Sequence, residues 1–131
     1  IVSSSEDSAF ILKLNTFGLQ QCLFGLHNLV HIKKGDTICI VESEKTAIIM
    51  SMMLPDFLWL ATGSKTGFKE KMLRPIKEYS LIAYPDKTEY HIWHKTAILL
   101  NEKGYNIQCS NLLESVALES GSDLIDYLYN N

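Results

Sequence analysis

The feature that most limits the fold of this chain is an alternation. Apolar runs of strand length are separated by segments with helical spacing, four times over between residues 37 and 129. Thr37–Val41 is apolar almost without a break, as a strand is when both faces of its sheet are covered. Ser43 is placed to cap a helix running to about Met53, and Pro55 follows its end. Phe57–Ala61 reads as a second buried strand, followed by a glycine-containing loop over 62–67 and a short helix to about Leu73. Ser80–Tyr84 is the third strand. Glu89–Lys103 is the clearest helix, with Tyr90, Trp93, Ala97 and Leu100 on one face and Gly104 at its stop. Tyr105–Cys109 is the fourth strand, and Asp123–Tyr129 a short closing helix. Strands and helices taken in turn predict a parallel sheet sandwiched by helices, with right-handed crossovers.

Upstream of residue 37 the pattern differs. Residues 1–7 are polar. Ala9–Leu14 has the character of a short strand, and Leu19–Val30 carries apolar residues at 19, 23, 26 and 30, which is helical spacing. Lys33–Asp36 is a turn. We therefore read residues 1–36 as a lead-in and 37–131 as the domain proper. The start at Ile1, without Met, is expected of a piece of a longer protein.

Composition removes several classes. A chain of 131 residues that is 47% hydrophobic and 21% charged suits one soluble globular domain with a real core. No apolar stretch approaches the roughly 20 residues that span a bilayer, and no signal peptide is visible. The net charge of −3 gives no global basic field, so any nucleic-acid contact has to be local and salt-sensitive. Cys22, Cys39 and Cys109 are odd in number and widely spaced, which predicts buried thiols in a reducing, cytoplasmic setting rather than a disulfide frame or a zinc site.

Two of the strands end on acids. Val41 is followed by Glu42, and Leu81–Pro85 by Asp86. In open α/β sheets ligands bind at the carboxyl ends of the strands, so Glu42 and Asp86 share one edge. One acid in such a place can be a helix cap. Two at equivalent places favour a divalent-cation site or phosphate chemistry, since Mg²⁺ is commonly held by one or two carboxylates together with waters and phosphate oxygens.

The residues around these acids resemble a known family. Ile40-Val41-Glu42-Ser43-Glu44-Lys45-Thr46-Ala47 is similar to the strand–Glu–helix motif of toprim domains, in the form found in primases and helicases of phages and mobile elements. Trp59–Gly67 resembles their glycine-containing second loop, and Ile82–Glu89 stands where they carry an Asp-x-Asp motif. Gly121-Ser122-Asp123-Leu124-Ile125-Asp126-Tyr127-Leu128 resembles an Asp-x-x-Asp-Tyr-Leu segment that closes many primase-like members. The resemblance covers about residues 37–129 in order and spacing. It implies a Rossmann-like toprim fold with about four parallel strands, in a DNA primase-related replication protein. It implies that Glu42 serves as general acid/base and that Asp86 holds Mg²⁺ or Mn²⁺ for nucleotidyl transfer, with DNA or nucleotides and further domains of a longer protein as partners.

The chain departs from that pattern at two places. Thr88 occupies the second Asp position, and a neutral hydroxyl is a poorer ligand for a hard cation. Glu89 is adjacent and is the substitute candidate, or simply a first-turn carboxylate favoured by the helix dipole. Ser43 replaces glycine after Glu42. The alternative is thus a catalytically degenerate module of the same fold that binds nucleic acid or a replication partner. Lys45 and Lys65 are phosphate or nucleic-acid contacts or solvated lysines. A signalling receiver domain with Asp86 as the phosphorylated residue fits less well, because no fifth strand bearing a lysine follows. His91 and His94 are read as surface residues; Asp123 and Asp126 are read first as helix-terminal residues, with a place near the site as the alternative if the last helix folds back on the sheet edge. Trp59 and Trp93 are read as core. Tyr84 and Tyr90, which flank the Asp86 loop, are read mainly as core, with base stacking as the alternative.

Overall fold

The computed structural model describes residues 22–129. Its centre is a four-stranded, all-parallel sheet of β1 (Thr37–Val41), β2 (Leu58–Ala61), β3 (Ser80–Ala83) and β4 (Asn106–Cys109), in the order β2-β1-β3-β4. Helices α1 (Glu44–Met53), α2 (Glu70–Leu73), α3 (Tyr90–Glu102) and α4 (Leu124–Tyr129) flank it. This is a Rossmann-like α/β fold. No described helix is long and apolar enough to cross a membrane.

The β1 sequence explains the layering. Side chains of a strand alternate between faces. Ile38 and Ile40 enter one core cluster with Leu73 and Ile76, from α2 and the short 3-10 turn after it, and with Trp93, Ala97 and Leu100 of α3. Cys39 and Val41 enter the opposite cluster with Ala47 and Met50 of α1 and Leu124 and Ile125 of α4. Thus α2 and α3 cover one face while α1 and α4 cover the other. Both faces of β1 are buried, which is why its sequence is an unbroken apolar run.

The helix ends follow local rules. Ser43 caps α1, its hydroxyl accepting from the Thr46 N–H at 3.1 Å. α3 ends in a Schellman motif. Gly104 adopts φ +97°, its N–H reaches the Asn101 carbonyl at 3.1 Å, and the Tyr105 N–H reaches Leu100 at 3.1 Å. Trp93 is completely buried and stacks on Phe68 with ring centroids 4.4 Å apart. Trp59 and Tyr84 stack in the other core at 5.8 Å.

Upstream of β1 the structure corrects one expectation. The helix predicted over 19–30 is not formed in its described part. Phe24 instead pairs antiparallel with Ala61 at the outer edge of β2, and a 3-10 turn follows over Leu26–His31. Gly25, at φ +86°, separates them. Leu23 is buried, whereas Val30, on the supposed apolar face, is 83% exposed. Residues 9–14 and 19–21 lie outside the described residues. All three cysteines are free, but only Cys39 is buried; Cys109 is partly exposed and Cys22 exposed.

Candidate functional site

The strand order brings β1 and β3 side by side. The chain leaves β1 for α1 on one face of the sheet and leaves β3 for α3 on the other. Two neighbouring loops that depart in opposite directions mark the carboxyl edge between β1 and β3 as the topological switch point, where α/β proteins place ligands. Glu42 is the first residue past β1, and Asp86 lies in the loop after β3.

Backbone hydrogen bonds fix both positions. The Gly63 N–H donates to the Glu42 carbonyl at 2.8 Å and Thr62 to Val41 at 3.0 Å, which ties the 62–67 loop to the end of β1. Gly67 closes that loop where no side chain fits, because a Cβ there would stand 2.6 Å from the Thr62 carbonyl oxygen. Trp93 Nε1 holds the loop from the α3 side by donating to the Lys65 carbonyl at 3.0 Å. Past β3, the Glu89 N–H donates to the Asp86 carbonyl at 2.9 Å.

The two acids meet. Asp86 is half-buried and close enough to Glu42 for a shared proton. Burial, first, and then the hydrogen bond and charge of Glu42 push the Asp86 carboxyl up from its usual 3.8 to about 8, with Asp123 and Glu89 adding repulsion. No described ion pair includes any of these four acids. This is the arrangement of two carboxylates that cannot comfortably both ionise.

Asp123 belongs to this neighbourhood, the less favoured of its two expected roles, and it is a helix-terminal residue as well. It does cap α4, accepting from the Asp126 N–H at 3.0 Å while Asp126 accepts from its own N–H at 2.9 Å. Its other oxygen accepts from the buried Thr46 hydroxyl at 2.9 Å, which fastens α4 to the first turn of α1. Thr46 was invisible as a site residue in the sequence. The one signal is its place three residues after the Ser43 cap, where a capping box usually carries Glu or Gln.

Lys87 also went unnoticed. Its ammonium donates to the carbonyls of Leu113, Glu114 and Val116 at 3.2, 3.3 and 2.8 Å. Its backbone pairs with Ser122 at 2.8 Å and Gly121 at 3.0 Å. The Asp86 loop is thereby strapped to the segment leading into α4. Thr88 is exposed, adopts φ +86°, and gives its N–H to the Glu114 carboxylate. Lys45 and Lys65 are exposed and form no described ion pair, so the structure does not bring their ammonium groups onto the acids. Tyr90 stacks on His94 at 5.0 Å, and His91 meets its edge at 5.6 Å. Among the described residues no group of three or more His, Cys, Asp or Glu is gathered as a metal cage. A cavity of about 500 Å³ is lined by residues 117–122 and Asp126 and includes neither Glu42 nor Asp86.

With this geometry described, comparison with known families gives one match. Residues 4–87 fit the family described as "Domain of unknown function (DUF6371)". The chain belongs to DUF6371. The DUF6371 match spans β1 to β3 and ends just past Asp86, so it contains Glu42 and Asp86 but not Asp123. No curated protein and no solved structure matches the chain.

Proposed function

We propose that this chain is a toprim-like domain of a cytoplasmic, primase-related DNA replication protein, and that its Glu42–Asp86 pair handles nucleotide or DNA phosphate through a divalent cation. The observation that carries this reading is the meeting of two carboxylates from adjacent parallel strands at the switch point, with no described cation beside them. A carboxyl held at about 8 by burial and a neighbouring acid is relieved when a divalent ion replaces the shared proton. The donor set therefore fits Mg²⁺ or Mn²⁺, bound through one or two carboxylates and completed by waters and phosphate oxygens. Such an ion supplies charge neutralisation to a phosphoryl centre. Asp86 would be the first ligand, with Glu89 near it, and Glu42 would hold or move a proton at its carboxylate oxygens.

One observation favours a second reading. Thr88 is turned into a left-handed conformation with its N–H engaged by Glu114, so the position expected for a second Asp offers a neutral side chain on a fixed turn. This suits a module that binds DNA, nucleotide or a partner domain without catalysing transfer.

Calorimetric titration with Mg²⁺ and Mn²⁺, alone and with nucleotide or single-stranded DNA, separates the readings. Saturable metal binding that is lost in Asp86→Asn supports the metal centre, and primer synthesis by the longer protein is then the assay for Glu42→Gln. Nucleotide or DNA binding that is indifferent to metal and to both substitutions supports the binding module. No binding of metal, nucleotide or DNA rejects both.

A further inference from the structure

The opposite edge of the sheet holds an unanswered polar group. Tyr105 immediately precedes β4, and the Schellman turn around Gly104 fixes its place. Its ring packs in the α2–α3 core, and the residue is only 5% exposed. Its hydroxyl is fully covered and has no hydrogen-bond partner, the single such side-chain atom among the described residues. Buried hydroxyls are ordinarily paired, because desolvating one without a partner is costly.

The surroundings of this hydroxyl are charged. Burial raises the phenol and the Glu70 carboxylate adds to that, while the nearby Arg74 and Lys103 cations oppose it. The Lys77 ammonium lies over the ring, 5.3 Å from its centroid. The Lys77 stem runs beside Gly104, where a Cβ would come 3.5 Å from its Cε. Lys103 is already paired with Glu70 at 2.9 Å. Arg74 and Lys77 form no ion pair among the described residues. Three cations, Lys103, Arg74 and Lys77, thus face one carboxylate, Glu70, beside a hydroxyl without a partner, and the group keeps a net positive charge.

We propose that the Tyr105 hydroxyl, Arg74 and Lys77 form a phosphate-binding site at the amino edge of the sheet, apart from the carboxyl-edge acids. A phosphate offers several oxygens in different directions and so can engage all three donors. Arg74 suits bidentate contact and Lys77 a point charge. The hydroxyl is covered, so binding requires a side chain to move, and the exposed Lys77, whose ammonium lies over the ring, can do so. The phosphate is a phosphodiester of a nucleic-acid strand or a free phosphate. In a chain of net charge −3, such a site is where a polyanion would make its local contact. It does not depend on how Glu42 and Asp86 are used.

The test is titration of the full chain with inorganic phosphate, pyrophosphate and a short oligothymidylate, read by amide shifts at Gly104–Asn106 and by thermal shift. We expect saturable binding that Tyr105→Phe weakens by roughly ten-fold or more. The ligand-free Tyr105→Phe protein should be at least as stable as the wild type, since no orphaned hydroxyl remains. Arg74→Gln combined with Lys77→Gln should abolish binding, and Lys95→Gln, at an exposed position on α3, should leave it unchanged. Saturation by phosphate and pyrophosphate alone assigns the site to free phosphates, and saturation by the oligonucleotide assigns it to a nucleic-acid backbone. The proposal is overturned if Tyr105→Phe binds as the wild type does, if Lys95→Gln loses as much as the double variant, or if none of the three anions saturates at millimolar concentration.

Discussion

Replacing Asp86 with asparagine should make the metal-free protein more stable at pH 8, although it removes a residue from the candidate site. The folded state raises the Asp86 carboxyl from 3.8 to about 8. Between these values the folded protein therefore carries more of this proton than the unfolded chain does. Stability from this group is fully present below about pH 4 and is lost as pH rises toward 8. Each pKa unit corresponds to about 1.4 kcal/mol, so the full shift would set an upper limit above 5 kcal/mol. Asp86 is only half-buried, and solvent screening cuts that to about 2 kcal/mol. For a chain of this size that is roughly 6 °C in Tm. Asparagine keeps the shape and cannot ionise. Urea denaturation in chelator, followed by the fluorescence of the buried Trp59 and Trp93, measures the difference between wild type and Asp86→Asn across pH. The gap should be small near pH 4.5 and should widen to about 2 kcal/mol in favour of the variant by pH 8. Mg²⁺ should then raise the wild type and not the variant. A variant less stable than wild type at pH 8, or a gap that does not change with pH, would refute the reasoning.

Three further substitutions probe the supports of the site. Thr46→Val preserves shape but removes the hydroxyl that holds Asp123 at 2.9 Å, and should cost about 1 kcal/mol by urea denaturation, with faster amide exchange over α4. Lys87→Met leaves the carbonyls of Leu113, Glu114 and Val116 without their shared donor. It should destabilise by about 1–2 kcal/mol and selectively speed hydrogen exchange at the Lys87 and Gly121 amides. Gly67→Ala forces a Cβ to within 2.6 Å of the Thr62 carbonyl oxygen, a backbone group that cannot turn away, and should lose about 1–3 kcal/mol in the same assay.

The strands were legible because burial on both faces leaves little choice of residue. Thr37–Val41 stands where the apolar run placed it, and the other three strands differ from expectation by one residue at an end. The α3 boundaries followed from the Trp93, Ala97, Leu100 stripe and from Gly104. The segment before residue 37 misled because periodicity was weighed above Gly25, whose left-handed backbone ends the pairing with β2 and starts a turn. At the site, Glu42 and Asp86 were visible as acids ending apolar runs. Asp123 and Thr46 were not visible as a pair, since they stand 77 residues apart in sequence and only the packing of α4 on α1 joins them. The Lys87 strap had no local signature at all. Its acceptors are main-chain carbonyls, which every sequence supplies.

The parallel pairing of β1 with β3 also bears on when the acids meet. All of α1, β2 and α2 lies between these strands in the chain, so their contact is a long-range closure, and we expect it to be made late in folding. Until that closure, Glu42 and Asp86 are solvated and indifferent to each other. Their repulsion therefore belongs to the finished structure rather than to the path toward it. Stopped-flow traces of Asp86→Asn at pH 8 should show refolding at nearly the wild-type rate and markedly slower unfolding. On this reasoning the acid pair without metal should shorten the lifetime of the folded molecule, and an ion seated between the carboxylates should lengthen it.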